Sequence, residues 1–214
     1  METIKITKAD LDKDNYYKES GIGDWNNYEN VNVEIDESLG LVKFKKGIYI
    51  YGRIEAKAGS GIEAGEGIKA GSGIEAGEGI KAGWGIEAGW GIKAGSGIEA
   101  GSGIEAGEGI KAGWGIKAGW GIEAGEGIKA GWGIEAGSGI EAGLKISCNL
   151  SLNVAYRIFA GLAIWKKEVS DQEKTIECGK LENGEVCYGI LVEKGLPEEK
   201  TGIIELNGIK YKRI

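Results

Sequence analysis

Histidine is missing from this chain of 214 residues, proline occurs once, at Pro197, and phenylalanine only twice. Without histidine there is no Ser-His-Asp or Cys-His nucleophile system and no imidazole to hold a metal. The three cysteines, Cys148, Cys178 and Cys187, are too few and wrongly spaced for a structural zinc site, and an odd set of this kind is expected as free thiols. A single proline excludes a collagen-like chain in spite of 41 glycines. No stretch reaches the roughly 18 apolar residues of a membrane helix, and the N-terminal METIKITKADLDKD is polar throughout. The expectation is an intracellular protein with no membrane partner, in which the sequon Asn149-Leu150-Ser151 carries no meaning.

Positive charge is scarce where a nucleic acid would need it. Lys and Arg number 26 against 33 Asp and Glu, with net charges of −2 over residues 1–60, −6 over 61–144 and +1 over 145–214. No basic stripe is present to neutralise phosphates, so direct nucleic-acid binding is not expected. There is no G-x-x-x-x-G-K-[S/T] loop, and the G-x-G pieces belong to a repeat rather than to a dinucleotide site. The fragment Asp10-x-Asp12-x-Asp14-Asn15 has the spacing of a calcium loop, but the required Gly and terminal Glu are misplaced, so a solvated turn is expected. No catalytic, cofactor-binding or metal-ligating set emerges, and the chain reads as a non-enzyme.

What is present is a repeat. Fourteen copies of G-I-[E/K]-A-G-x run unbroken from Gly61 to Leu144, and x is Ser, Glu or Trp until the last copy ends in Leu144. An Ile that never misses from Ile62 to Ile140 argues for order, and a fixed short period means that each unit buries its apolar face on its neighbours. A period of six preserves the two-residue alternation of a strand. Even positions carry Ile, Ala and x; odd positions carry the charged residue and both glycines. The same phase runs back through Ile48, Ile50, Ile54, Ala56 and Ala58 and forward through Leu144, Ile146, Cys148, Leu150, Leu152, Val154, Tyr156, Ile158, Ala160, Leu162 and Ile164. A slip of one residue would turn the whole set outward.

One strand of that length cannot exist, so the chain must turn regularly with Ile and Ala inside. The predicted fold is all-β: a β-solenoid of short strands with Gly-x-Gly at the corners, where Gly tolerates positive φ and lets coils approach closely. Charge columns favour 18 residues per coil over 12. The spacing of 18 gives one alternating ladder, Glu63, Lys81, Glu99, Lys117, Glu135, beside two columns, beginning at Lys69 and Glu75, that are mostly like-charged. The spacing of 12 gives a mostly Glu and a mostly Lys column and no alternating one. Residues 48–165 then make six or so coils, a rod roughly 30 Å tall at about 4.8 Å per coil.

Open solenoid ends expose unpaired edges and need caps. Residues 1–47 are expected as a small capping module with strands at Thr3–Thr7, Val31–Asp36 and Leu41–Lys45. Residues 166–214 are expected as an antiparallel module of two hairpins, turning at Asn183-Gly184 and at Asn207-Gly208.

The repeat resembles, in part, the hexapeptide-repeat left-handed β-helices, although here the small residue follows the Ile by two positions instead of preceding it. That family's acyltransferase activity relies on a catalytic His, which this chain lacks. The array, followed by Arg157-Ile158-Phe159-Ala160-Gly161 and Cys178-Gly179-Lys180-Leu181, also looks like Gly-rich repeat proteins of phage and gut-bacterial genomes with no assigned activity. That resemblance implies a cytoplasmic location in a bacterial host cell and an inhibitor that binds a host macromolecular machine, for example an anti-CRISPR protein acting on a nucleoprotein complex.

Trp84, Trp90, Trp114, Trp120 and Trp132 occupy x positions, where Ser and Glu are equally allowed. A site that accepts Glu faces solvent, so these rings, with Glu78, Glu108 and Glu126, are the candidate partner-binding residues. Two other uses remain open: a self-associating structural rod, in which the chain forms a homo-oligomer, and a glycan surface of stacked indoles.

Overall fold

A computed structural model describes residues 1–196 and the strands Ile203–Leu206 and Ile209–Lys212. It is a parallel β-solenoid with three faces. Through the repeat each strand pairs in register with the one 18 residues on: Ile86 with Ile104, Ile92 with Ile110 and Ile98 with Ile116. Three hexads therefore make one coil, as the alternating charge ladder predicts.

Face I begins with Glu2–Ile6 and Val31–Ile35, continues through Ile54–Ala56 and every third repeat strand, and ends with Thr175–Cys178 and Ile190–Glu193. Face II runs from Gly40–Phe44 through Ile80–Ala82 and Ile98–Ala100 to Ile134–Ala136, and face III from Ile48–Ile50 through Ile86–Ala88 and Ile104–Ala106 to Ile140–Ala142. The ten-residue strand Ser151–Ala160 turns the corner between these two, pairing through Leu152 with Ile134 on face II and through Ile158 with Ile140 on face III.

The alternation holds inside. From Ile62 to Ala142 every Ile and Ala of the repeat is at most 3% exposed, and together they form one continuous core. It fails where the corners change: Ala58 is exposed, Tyr156 rides the bend in its long strand, and Ile164 is 99% exposed. Ser60 takes the inward place instead, its hydroxyl donating to Asp36 O at 2.6 Å and accepting from Leu39 N–H at 2.9 Å.

The sheets are longer than the repeat. Residues 48–165 supply six rungs of face I, Ile54–Ala56 to Ile146–Ser147, as expected, and the two ends add four more, so that face I stacks ten strands, about 43 Å at roughly 4.8 Å each. The predicted strands of residues 1–47 exist, but they are rungs: Val33 pairs with Ile54 and Val42 with Ile62, both parallel. Between the first two strands the chain loops over the end, where Ile22 bridges to Ile48 and Glu29 to Ile50, so that this segment also covers the sheet edges. Asn183-Gly184 makes no hairpin. Lys180–Tyr188 runs parallel to Ser151–Ala160, and Ile190–Glu193 parallel to Thr175–Cys178. Gly184, at φ +115°, bends the strand round the solenoid corner rather than reversing it, because the unpaired edge of the preceding coil offers a full ladder of partners. The second predicted hairpin pairs as expected, Ile204 with Tyr211 and Leu206 with Ile209, antiparallel; its turn, residues 207–208, lies outside the described residues.

The glycines serve one of the two purposes expected of them. None in the repeat has positive φ. Their role is close approach: a Cβ on Gly95, Gly101 or Gly107 would sit 1.9–2.1 Å from the backbone oxygen of the coil before.

Candidate functional site

With three hexads per coil, the x positions fall into three columns along the edges of the prism. The edge between faces II and III carries Glu66, Trp84, Ser102, Trp120, Ser138 and then Tyr156, each N–H donating to the carbonyl one coil earlier. The edge between faces III and I carries Ser72, Trp90, Glu108, Glu126 and Leu144, and that between I and II carries Glu78, Ser96, Trp114 and Trp132. All five indoles are exposed, from 52% at Trp114 to 69% at Trp120.

The candidates do not share one surface. Trp84 and Trp90, adjacent in the repeat, lie on different edges, as do Trp114 and Trp120. The tertiary neighbours are instead 18 residues apart: Trp114 and Trp132 stack with centroids 5.3 Å apart and planes within 6°. Glu78 accepts a hydrogen bond from the Ser96 hydroxyl at 3.0 Å on the same edge, whereas Glu108 and Glu126 sit above Trp90. Each face is a shallow groove overhung by the aromatics of its leading edge: Trp90 over face I, the Trp114–Trp132 stack over face II, and Trp84, Trp120 and Tyr156 over face III. Tyr156 and Trp25, which also lines face III, were not among the sequence candidates. Tyr156 was findable by counting on in eighteens past Ser138; Trp25 belongs to the N-terminal loop and carries no periodic signal.

The faces differ in charge. Face II keeps the alternating ladder, with Lys81–Glu99 at 3.5 Å and Lys117–Glu135 at 3.1 Å. Face III stacks Lys69, Glu87, Glu105, Glu123 and Glu141, and face I stacks Glu75, Lys93, Lys111 and Lys129. Within each column an ion pair forms where the sign changes: Lys69–Glu87 at 2.6 Å and Lys93–Glu75 at 2.5 Å. Burial, then the carboxylates of Glu87 and Glu123, push Glu105 above the ordinary carboxylate range, while Lys69 pulls the other way. A carboxyl raised in the folded state destabilises the fold above that pKa and loses this effect as the pH falls toward its unfolded value. Glu105→Gln is therefore expected to raise the melting temperature by roughly 1 °C at about pH 7 and to lose that advantage by about pH 4, read by thermal circular dichroism; the side chain is largely exposed, which keeps the effect small.

Asp10 accepts from the Thr7 N–H and hydroxyl, and Asp12 from the N–H groups of Asp14 and Tyr16, so these carboxylates hold the loop's own backbone. Cys148 and Cys178 are buried, Cys187 is exposed, and all three are free; burial first, then Cys178, pushes the Cys148 thiol up to about 12. Among the described residues no group of three or more Cys, Asp or Glu is arranged to hold a metal ion, and no helix is long and apolar enough to cross a membrane. Compared with protein families, curated proteins and solved structures, the chain matches none.

Proposed function

We propose that this protein is a non-enzymatic protein-binding rod that seats face II against a larger host assembly and blocks it. The carrying observation is the exposed, face-to-face Trp114–Trp132 stack beside a face whose charges pair among themselves. Aromatic side chains are the usual anchors of protein interfaces, and a face already neutralised in ion pairs brings no unbalanced column of charge into the contact. A long, shallow groove that repeats every coil suits occlusion. An acidic chain of this kind would engage a nucleoprotein complex, such as a defence nuclease, through its protein subunits.

The test uses positions where the repeat itself permits Ser. From a lysate of the bacterial host, the tagged full chain is expected to retain one stoichiometric protein, and Trp114→Ser/Trp132→Ser to retain none at an unchanged melting temperature. Equal retention by both, or none by the unmodified chain, overturns the proposal.

A further inference from the structure

The charged columns of faces III and I are conjugate rung by rung. In one coil the face III residue precedes the face I residue by six, and the pairs at equal height are Lys69 and Glu75, Glu87 and Lys93, Glu105 and Lys111, Glu123 and Lys129. All four are opposite in sign, and the inversion at the first rung occurs on both faces together. No other pair of faces does this: face II against face I sets Lys117 beside Lys111, and face II against face III sets Glu99 beside Glu105 and Glu135 beside Glu141. The match is not used within the chain, since the ion pairs on these faces run along the columns and not around the edge. What it leaves inside the molecule is repulsion, with Glu105, Glu123 and Glu141 stacked on one face and Lys93, Lys111 and Lys129 on the other.

We infer that copies of this chain associate side by side, face III of one against face I of the next, with the rods parallel and the coils level. Spacing selects the occupant. Both columns step by the inter-strand distance of about 4.8 Å, whereas an extended peptide lying along the rod shows same-side residues roughly every 6.6 Å and a helix returns to the same side roughly every 5.4 Å. An extended peptide would fall out of step within about two rungs and a helix within about four, the length of the matched columns; another stack of strands stays in step along its whole length. Register is selected as well. Sliding one copy by a coil sets Glu87 opposite Glu75 or Lys69 opposite Lys93, and turning it end over end either sets Glu141 opposite Glu75 or, shifted by a coil, leaves three opposite pairs in place of four. The two faces are different surfaces, so the contact is heterologous and builds a ring or a lateral row rather than a two-fold dimer. Face II remains outward, and the association stands or falls independently of the partner proposed for it.

Sedimentation equilibrium of the full chain tests this at about 50 mM and about 500 mM NaCl, because exposed ion pairs are screened over that range. The low-salt mass is expected to be a multiple of 22.6 kDa, falling to 22.6 kDa in high salt. Lys93→Glu/Lys111→Glu/Lys129→Glu, which makes face I acidic, and Glu87→Lys/Glu105→Lys/Glu123→Lys, which makes face III basic, should each be monomeric alone at low salt. Mixed in equal amounts they should associate again, since the reversed face of one now complements the reversed face of the other. A monomeric unmodified chain at low salt, a mass indifferent to both salt and reversal, or a mixture that stays monomeric overturns the inference. The salt series on the unmodified chain is decisive even if a triple variant does not fold.

Discussion

Replacing Gly101 by Ala is expected to lower the melting temperature by roughly 10 °C, whereas the same change at Gly103 should move it by no more than about 2 °C. Both glycines flank the same x residue, Ser102, and neither has positive φ. They differ in what lies above them. A Cβ at Gly101 would come within 2.1 Å of Gly83 O and 3.0 Å of Gly83 C, both backbone atoms of the coil before; at Gly103 it would meet Gly121 O at 3.3 Å. The first clash can be relieved only by parting two coils, which loosens rungs such as Ser102 N–H to Trp84 O at 3.1 Å. The second needs a shift of a few tenths of an ångström. Both variants gain about 0.4–1 kcal/mol from a less flexible unfolded chain, which brings Gly103→Ala close to neutral. Thermal circular dichroism of the two proteins side by side decides it, and equal shifts would show that coil-to-coil contact is not what keeps Gly there.

Ile104→Ala should cost about 2–5 kcal/mol, because it removes a fully buried side chain from the middle of a continuous stack and leaves a cavity between the Ile side chains of two adjoining coils. Trp120→Ser, by contrast, should cost less than about 0.5 kcal/mol, since the indole is 69% exposed and Ser already occupies neighbouring rungs of that edge. Urea unfolding of both variants makes the comparison. If the indole proves as costly as the Ile, the edge aromatics are part of the scaffold, and the reading of them as a binding surface fails.

The core could be written down without coordinates. Alternation assigns Ile and Ala inward from Ile48 to Ile164 and is right at every rung of the repeat, failing only outside it, at Ala58 and Ile164; the one alternating charge column, Glu63 to Glu135, points to coils of 18. The ends were not legible. Val31–Ile35 and Thr175–Cys178 look like isolated strands, and Asn183-Gly184 looks like a hairpin turn. The period that would have revealed them as rungs is broken by the insertions 7–30 and 161–174. Their partners were chosen by the open ladder of the neighbouring coil, a tertiary fact.

The candidate site divides the same way. That the five indoles lie in water follows from Ser and Glu sharing their positions. Which of them meet does not: Trp84 and Trp90 are six residues apart and on different edges, while Trp114 and Trp132 are eighteen apart and in contact. Sequence by itself settled the inside of the repeat, because there the burial of Ile and Ala follows from the parity of their positions, and parity is local. Only the winding of the chain settled the outside. Neighbours on the surface are set by residues per coil, which brings distant hexads together and gives each face a charge pattern of its own.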